Sequence, residues 1–233
     1  MHSINKEFNP SIFHPGYLIR KNLLRNLIKN KNLVKGKVMD LGCGSKPYKS
    51  LFNFDEYIGV DIDNNPGHPH DNEDIDVYYN GKDLPFENDT FDTIFCSEVF
   101  EHVFELESLL EEIYRVLKTG GILLFTCPFS FPEHEQPNDY ARYTSFSMKY
   151  LLEKKKFKNV NVLKSGTMIE SIGQLKVLYF HHAIIPKFRK IPVLRQIIRM
   201  SGYLLINGKA AILSKLLPNS DTLYLNNIVN AQK

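Results

Sequence analysis

At 233 residues, 43% hydrophobic and 24% charged, the chain has material for one α/β domain of generous size, with room for an appended lobe. No run approaches the eighteen or so apolar residues of a membrane span, and the first residues lack the apolar core of a signal peptide, so a cytoplasmic chain is expected. Three cysteines (Cys43, Cys96 and Cys127) fall in or beside predicted strands and read as reduced thiols rather than a disulfide framework; in that setting the sequon at Asn88 has no meaning. The net charge of +3 hides an asymmetry, because residues 151–233 carry 14 Lys/Arg against 3 Asp/Glu. That surplus suggests an anionic neighbour for the C-terminal part, against the commoner outcome of a solvated basic face.

Residues 1–14 are polar. A helix is predicted from Pro15 to about Asn30, with Leu24, Leu27 and Ile28 on one side, placed to help close a ligand crevice. The apolar run at Val38, Met39 and Leu41 is a strand that ends in Asp40-Leu41-Gly42-Cys43-Gly44. Two glycines leave no side chain between backbone and ligand, so amide groups can approach a small polar molecule, and a following helix start would add its positive end. Asp40 aims at the same crevice. A second strand, about 56–61, ends in Asp61, whose carboxylate is placed to accept both hydroxyls of a ribose. His68-Pro69-His70-Asp71 has metal-ligand residue types but no rigid element beneath it. It reads as a solvated loop, and no metal site is assigned.

Residues 76–79 form a short third strand, and 89–96 open the fourth. Leu106, Leu109, Leu110, Ile113 and Leu117 recur at helical spacing, the helix stopping at Gly120-Gly121 with a left-handed turn. Strand five, residues 122–127, is apolar throughout, as a strand covered on both faces should be. The most distinctive loop follows at 128–144, where His134, Glu135, Asp139, Tyr140, Arg142 and Tyr143 crowd between prolines. Thr144 or Ser145 caps a helix carrying Met148, Leu151 and Leu152. Strand six covers 157–163 and the last strand 223–229. Between them, residues 166–217 exceed what a connection needs. This basic, apolar helical insertion reads as a lid over the acceptor or a homodimer contact, ahead of a peripheral contact with an anionic membrane at the inner face. The domain reading is a single domain over 1–233, with an N-terminal helical extension at 1–35.

D-L-G-C-G-S followed by G-V-D-I-D resembles motif I and the second-strand acid of class I S-adenosylmethionine-dependent methyltransferases. R-V-L-K-x-G-G before strand five is a further match. P-x-H-E-x-P-x-D-x-x-R-Y-T resembles a branch of the type 11 methyltransferases associated with glycan or cell-surface biosynthesis. The resemblance implies a Rossmann-like α/β fold: a seven-stranded, mostly parallel sheet with an antiparallel last strand at its edge, and helices on both faces. It implies S-adenosyl-L-methionine as cofactor, held by Asp40, Gly42, Cys43, Gly44, Asp61 and Ile62, with Asp83 and Leu84 before Pro85 at the adenine. Backbone at Ser97 and Glu98 would lie near the methionine part. Lys46 departs from the pattern, standing where a third glycine is usual, and should crowd the turn slightly.

The implied reaction is in-line methyl transfer to a small-molecule or glycan acceptor, at oxygen. His134 or His102 has a suitable ordinary pKa for the base, and Glu135 or Asp139 would orient it. Tyr140, Arg142 and Tyr143 would line the acceptor side. An NAD-dependent oxidoreductase is the alternative enzyme, though the third glycine of its fingerprint is missing. A domain that binds the donor without turnover is the non-enzymatic alternative. No nucleic-acid recognition motif accompanies the basic segment.

Overall fold

The computed structural model describes residues 6–62 and 74–233; the His68–Asp71 stretch lies outside them. The apolar runs become seven strands: β1 (Lys37–Leu41), β2 (Glu56–Ile62), β3 (Val77–Tyr79), β4 (Phe91–Ser97), β5 (Leu117–Pro128), β6 (Lys158–Ser165) and β7 (Asn226–Gln232). They form one sheet in the order β3-β2-β1-β4-β5-β7-β6. β1 to β5 pair in parallel, and β7 is antiparallel to both β5 and β6. The last strand therefore slots between β5 and β6 rather than taking the edge, and the edge is β6. It also starts three residues later than predicted.

Alternation along each strand sends neighbouring side chains to opposite faces, and the core divides accordingly. Met39, Leu41, Ile94, Leu123 and Phe125 meet helices α2 (Leu106–Val116) and α3 (Ser145–Lys154) on one face. Val38, Phe95 and Leu124 meet Leu23, Leu24 and Leu27 of α1 (Tyr17–Asn30) on the other. Thr144 is the cap of α3, its hydroxyl accepting the Ser147 amide proton at 3.1 Å.

Two turns differ from expectation. α2 ends at Val116 and the chain passes straight into β5 at Leu117. Gly120, at φ +80°, then serves a bulge where the β4–β5 register jumps, Phe91 facing Leu117 and Thr93 facing Ile122. After Gly44 the chain forms only a single 3-10 turn, Lys49–Leu51, so no helix N-terminus points at the crevice.

The insertion folds as α4 (Met168–Tyr179) and α5 (Pro192–Leu216), and α4 lies against α1. A buried polar seam ties the two ends of the chain. Asn22 Nδ2 donates to Glu170 Oε1 at 3.1 Å, Asn26 Nδ2 to Ser165 Oγ at 2.8 Å, and the Ile19 amide to Gln174 Oε1 at 3.1 Å. Asn207 of α5 donates to the carbonyls of Ile12 and His14. No described helix is long and apolar enough to cross a membrane.

Close approach within this unit depends on Gly173, where an added Cβ would sit 2.5 Å from Ala210 Cβ and 3.1 Å from Leu18 Cδ1. Gly173→Leu should destabilise the fold by about 1–3 kcal/mol through overpacking. In a domain of this size that lowers the thermal midpoint by roughly 2–12 °C. An unchanged midpoint in differential scanning calorimetry would contradict the α1–α4–α5 packing.

Candidate active site

The carboxyl ends of β1, β2 and β4 open into a cavity of about 880 Å³, at the edge where open α/β sheets take ligands. Asp40, Gly42, Cys43, Gly44, Asp61, Ile62, Ser97 and Glu98 line one side. Gly42 sits at φ +70°, and a Cβ there would lie 2.3 Å from Val99 Cγ2, so the β1 and β4 ends pack together only because this residue is glycine. The amides of Gly42 and Cys43 both donate to the Val60 carbonyl, and that of Gly44 donates to Asp61 Oδ2 at 3.0 Å. What the turn offers a ligand is thus a bare backbone surface rather than these free donors. Asp61, 5% exposed, also accepts the Ile62 amide proton at 2.8 Å. Its carboxylate is fixed in the lining with acceptor capacity left for hydroxyl donors.

Lys46 does not crowd the cavity. It takes φ +51°, the conformation glycine would supply, and its stem runs across Gly59, where a Cβ would lie 2.1 Å from Lys46 Cε. Its ammonium meets Asp76 Oδ2 at 2.6 Å, and the same oxygen accepts the Gly59 amide proton.

Buried acids stand behind this side. Asp40 is 3% exposed and accepts the Tyr57 hydroxyl proton at 2.6 Å. Burial pushes its acid up to about 7, against that hydroxyl. Burial raises Glu98 to about 7 as well; Asn226 Nδ2 of β7 donates to its Oε2 at 2.8 Å.

The opposite wall is built by the 3-10 turn Phe100–His102 and the loop at 128–144. Tyr140 and Ala141 amides donate to the Glu101 carbonyl, and His102 Nδ1 lies 2.7 Å from the Asn138 carbonyl. Arg142 clamps the loop from behind. It meets both Asp139 oxygens at 2.6 Å and donates to the carbonyls of Phe131 and Pro132. Asp139 in turn accepts the His134 amide proton at 2.8 Å. Burial works against the Asp139 carboxylate, but Arg142 and that amide outweigh it and hold the acid at about 2. Burial, with His102 beside it, lowers the His134 imidazole.

His102, His134, Glu135 and Tyr140 all line the cavity. Asp139, Arg142 and Tyr143 do not: the first two spend their polar groups on each other and on the loop backbone, and the Tyr143 carbonyl accepts Asn227 of β7. Asp83 and Leu84 also fall outside the lining. Asp83 accepts a proton from Asn80 Nδ2 at 3.3 Å, and the Leu84 amide donates to Glu112; Tyr79, Gly81 and Lys82 reach the cavity instead. The sequence reading missed Glu101, fully buried beneath His102. Its signal was two glutamates and a histidine within five residues of a strand end. Helix α1 borders the cavity through Ile19 and Arg20, as its expected place at the crevice implies, and Glu7 and Phe8, in the stretch read only as polar, reach it as well.

Such a cleft at the carboxyl edge of the strands belongs to an open α/β domain, and comparison with known proteins narrows it. Residues 39–125, from β1 through β5, match the family described as Methyltransferase domain. An uncharacterised protein of Methanocaldococcus jannaschii is 28% identical over 150 residues, 62% of this chain and 66% of that protein. The sterol 24-C-methyltransferase of Schizosaccharomyces pombe is 28% identical over 134 residues, 51% of this chain and 35% of that enzyme. The solved phosphoethanolamine N-methyltransferase 2 of Haemonchus contortus, in complex with S-adenosyl-L-methionine, aligns with 100% of this chain and 60% of its own, at TM-score 0.53 and 16% identity. The matches thus span two thirds of each of these proteins or less. Residues 39–125 thus match a methyltransferase domain, and the solved enzyme shares the fold of the whole chain.

The buried Asp40 gives stability a definite pH dependence. With its folded-state acid near 7 and an ordinary value near 4 when unfolded, the folded chain holds the extra proton between those limits. Stability from this group is present below pH ~4 and lost as pH rises through 7, at most about 1.4 kcal/mol per unit. Glu98 acts in the same sense. Denaturant midpoints measured at pH 5 and pH 8 should fall less for Asp40→Asn than for the wild type, and equal falls would contradict the assignment.

Proposed function

We propose that this domain transfers the methyl group of S-adenosylmethionine to an oxygen of a small-molecule or glycan acceptor. The observation that carries this reading is the opposition of two unlike walls in one cavity, a glycine turn with fixed acids on one side and two imidazoles with a glutamate on the other. Asp61 holds the ribose hydroxyls, and the Gly42–Gly44 turn, with Ile62, packs against the nucleoside. Tyr79, Gly81 and Lys82 border the adenine, while Asp83 acts through the turn it braces. Ser97 and Glu98 border the methionine part. The acceptor oxygen attacks the methyl carbon, the carbon–sulfur bond breaks with its electron pair going to sulfur, and the hydroxyl proton leaves the acceptor. Donor and acceptor held in line supply most of the acceleration. Glu101, His102, His134 and Glu135 help the acceptor give up its proton, with Tyr140 beside them at the mouth. Asp139, Arg142 and Tyr143 position this wall.

Residues 166–217 are proposed as a contact surface. Val193, Ile197, Leu205, Ile212 and Leu216 of α5 are exposed in the basic part of the chain, which supports a homodimer contact or an anionic membrane surface.

Calorimetric titration with S-adenosylmethionine should give binding that weakens at least tenfold in Asp61→Ala; equal affinity would remove Asp61 from the donor site. In a screen of glycan and lipid-linked sugar acceptors, followed by S-adenosylhomocysteine release, His134→Ala should lower transfer about a hundredfold or more with donor affinity nearly unchanged. Equal loss of both would make His134 structural.

A further inference from the structure

Glu101 is fully buried, yet neither carboxylate oxygen has a hydrogen-bond partner among the described residues. Native structures rarely leave a desolvated carboxyl so. Its nearest polar neighbours are two imidazoles. His102 Nε2 lies 3.8 Å from Glu101 Oε1, and His134 Nε2 lies 4.0 Å from the same oxygen. These separations are too long for hydrogen bonds, and His102 Nε2 likewise has no partner among the described residues.

We infer that Glu101, His102 and His134 bind a divalent first-row transition-metal cation at the acceptor wall of the cavity. One ligand atom from each residue lies within 4.8 Å of the others. Bonds of about 2.0–2.2 Å to a shared ion put ligand atoms roughly 3–4.3 Å apart, so small side-chain adjustments close the set. Glu135 Oε2, 3.7 Å from His102 Nε2, is available as a fourth ligand from the exposed side.

The His102 tautomer agrees with this assignment. The Asn138 carbonyl can only accept, so the 2.7 Å contact fixes the His102 proton on Nδ1 and turns the Nε2 lone pair toward two carboxylates. A lone pair facing carboxylates is repulsive unless a proton or a cation lies between them. His134 Nδ1 lies 3.3 Å from the Asp139 carboxylate and 3.3 Å from the Pro132 carbonyl, which leaves Nε2 for the ion. Arg142 Nη2, which can only donate, lies 3.2 Å from the same Nδ1, so the His134 tautomer that frees Nε2 requires Nδ1 to turn from Arg142 to Asp139 or Pro132 when the ion binds. A ligating histidine that gives its other N–H to a carbonyl or carboxylate is the usual outer support of a metal site.

Two imidazoles with one or two carboxylates suit Mn²⁺, Fe²⁺, Co²⁺ or Zn²⁺ better than Ca²⁺ or Mg²⁺, which prefer oxygen alone. The remaining coordination positions face the cavity, where an acceptor hydroxyl can bind. The ion then lowers the hydroxyl pKa and the proton leaves to Glu135 or water, so the imidazoles act on the acceptor through the cation. This catalytic half rests on the proposed methyl transfer; the binding half does not.

The test uses the full chain stripped with a chelator and titrated with MnCl₂ or ZnCl₂, metal content being read by mass spectrometry and Mn²⁺ affinity by electron paramagnetic resonance. One ion per chain is expected, with affinity at least tenfold weaker in Glu101→Gln and in His134→Ala. Circular dichroism checks that each variant folds; His134 lies on a loop, so its variant remains informative if the buried Glu101→Gln does not fold. S-adenosylmethionine titration of the stripped protein should give the affinity of the untreated protein. A stripped wild type that takes up neither ion, or a folded His134→Ala that binds as the wild type does, overturns the metal site. If donor binding persists in that case, the methyl-transfer reading survives it.

Discussion

Negative charge buried at the carboxyl ends of the strands is the constraint on which the rest of the cleft depends. Asp40 and Glu101 are nearly or wholly removed from water, and Glu98 is half-buried with its Oε1 out of solvent; only Asp40 and Glu98 have side-chain donors beside them. Burial raises all three acids, and Glu98 raises Glu101 further, so they resist ionising together. A cationic ligand would relieve them, and the sulfonium donor proposed above is one. In the proposed methyl transfer the same attraction limits where acids can lie, because the sulfonium loses its charge as the methyl departs. An acid against sulfur favours the bound reactant over the transition state. In the proposed reading Asp40 lies on the nucleoside side and Glu101 under the opposite wall, away from sulfur, while Glu98 at the methionine part accepts the Asn226 side-chain amide proton.

Position then has to come from rigid support, and two devices supply it. On the loop side, Arg142 and Asp139 form a bidentate pair whose outer bonds reach the Phe131 and Pro132 carbonyls and the His134 amide. Three backbone groups are thereby fixed from one guanidinium and one carboxylate. On the far side, Asn22 with Glu170 and Ile19 with Gln174 join α1 to the C-terminal insertion, and Asn26 joins it to Ser165 at the end of β6, through buried hydrogen bonds. The N-terminal extension that borders the cavity at Ile19 and Arg20 is held by residues about 150 positions away.

Local patterns were legible and distant pairings were not. Apolar runs marked the strands, Gly42 and Gly44 marked the turn, and Asp61 followed at the end of the next strand. Thr144 announced a helix start because its hydroxyl serves an amide three residues on. The place of β7 between β5 and β6 was beyond the pattern, since a strand's own alternation says nothing of its neighbours. The same limit hid the division of labour in the 128–144 loop. His134 and Arg142 look equally functional by composition, and only the path of the chain decides that one faces the cavity and the other braces it. Glu101 was missed for a related reason: among exposed-looking acids before a helix, nothing local shows that one is folded under the histidine beside it.

The departure at Lys46 is explained by the same logic of local strain and distant compensation. Six non-glycine residues among those described adopt positive φ, a conformation that disfavours side chains by roughly 1 kcal/mol or more. Three of the six surround the cleft: Lys46 in the turn, Glu98 at the end of β4 and Glu135 in the loop. Each is held there by bonds to another segment or beside one. Lys46 reaches Asp76 across Gly59, Glu98 donates its amide proton to Thr126 of β5 while its carboxylate accepts from Asn226 Nδ2 of β7, and the Glu135 carbonyl accepts the Asn138 amide proton. A glycine at position 46 would relieve the strain but lose the ion pair that ties the turn to the start of β3. The lysine thus keeps the positive-φ backbone path that a glycine would supply while fixing it to Asp76.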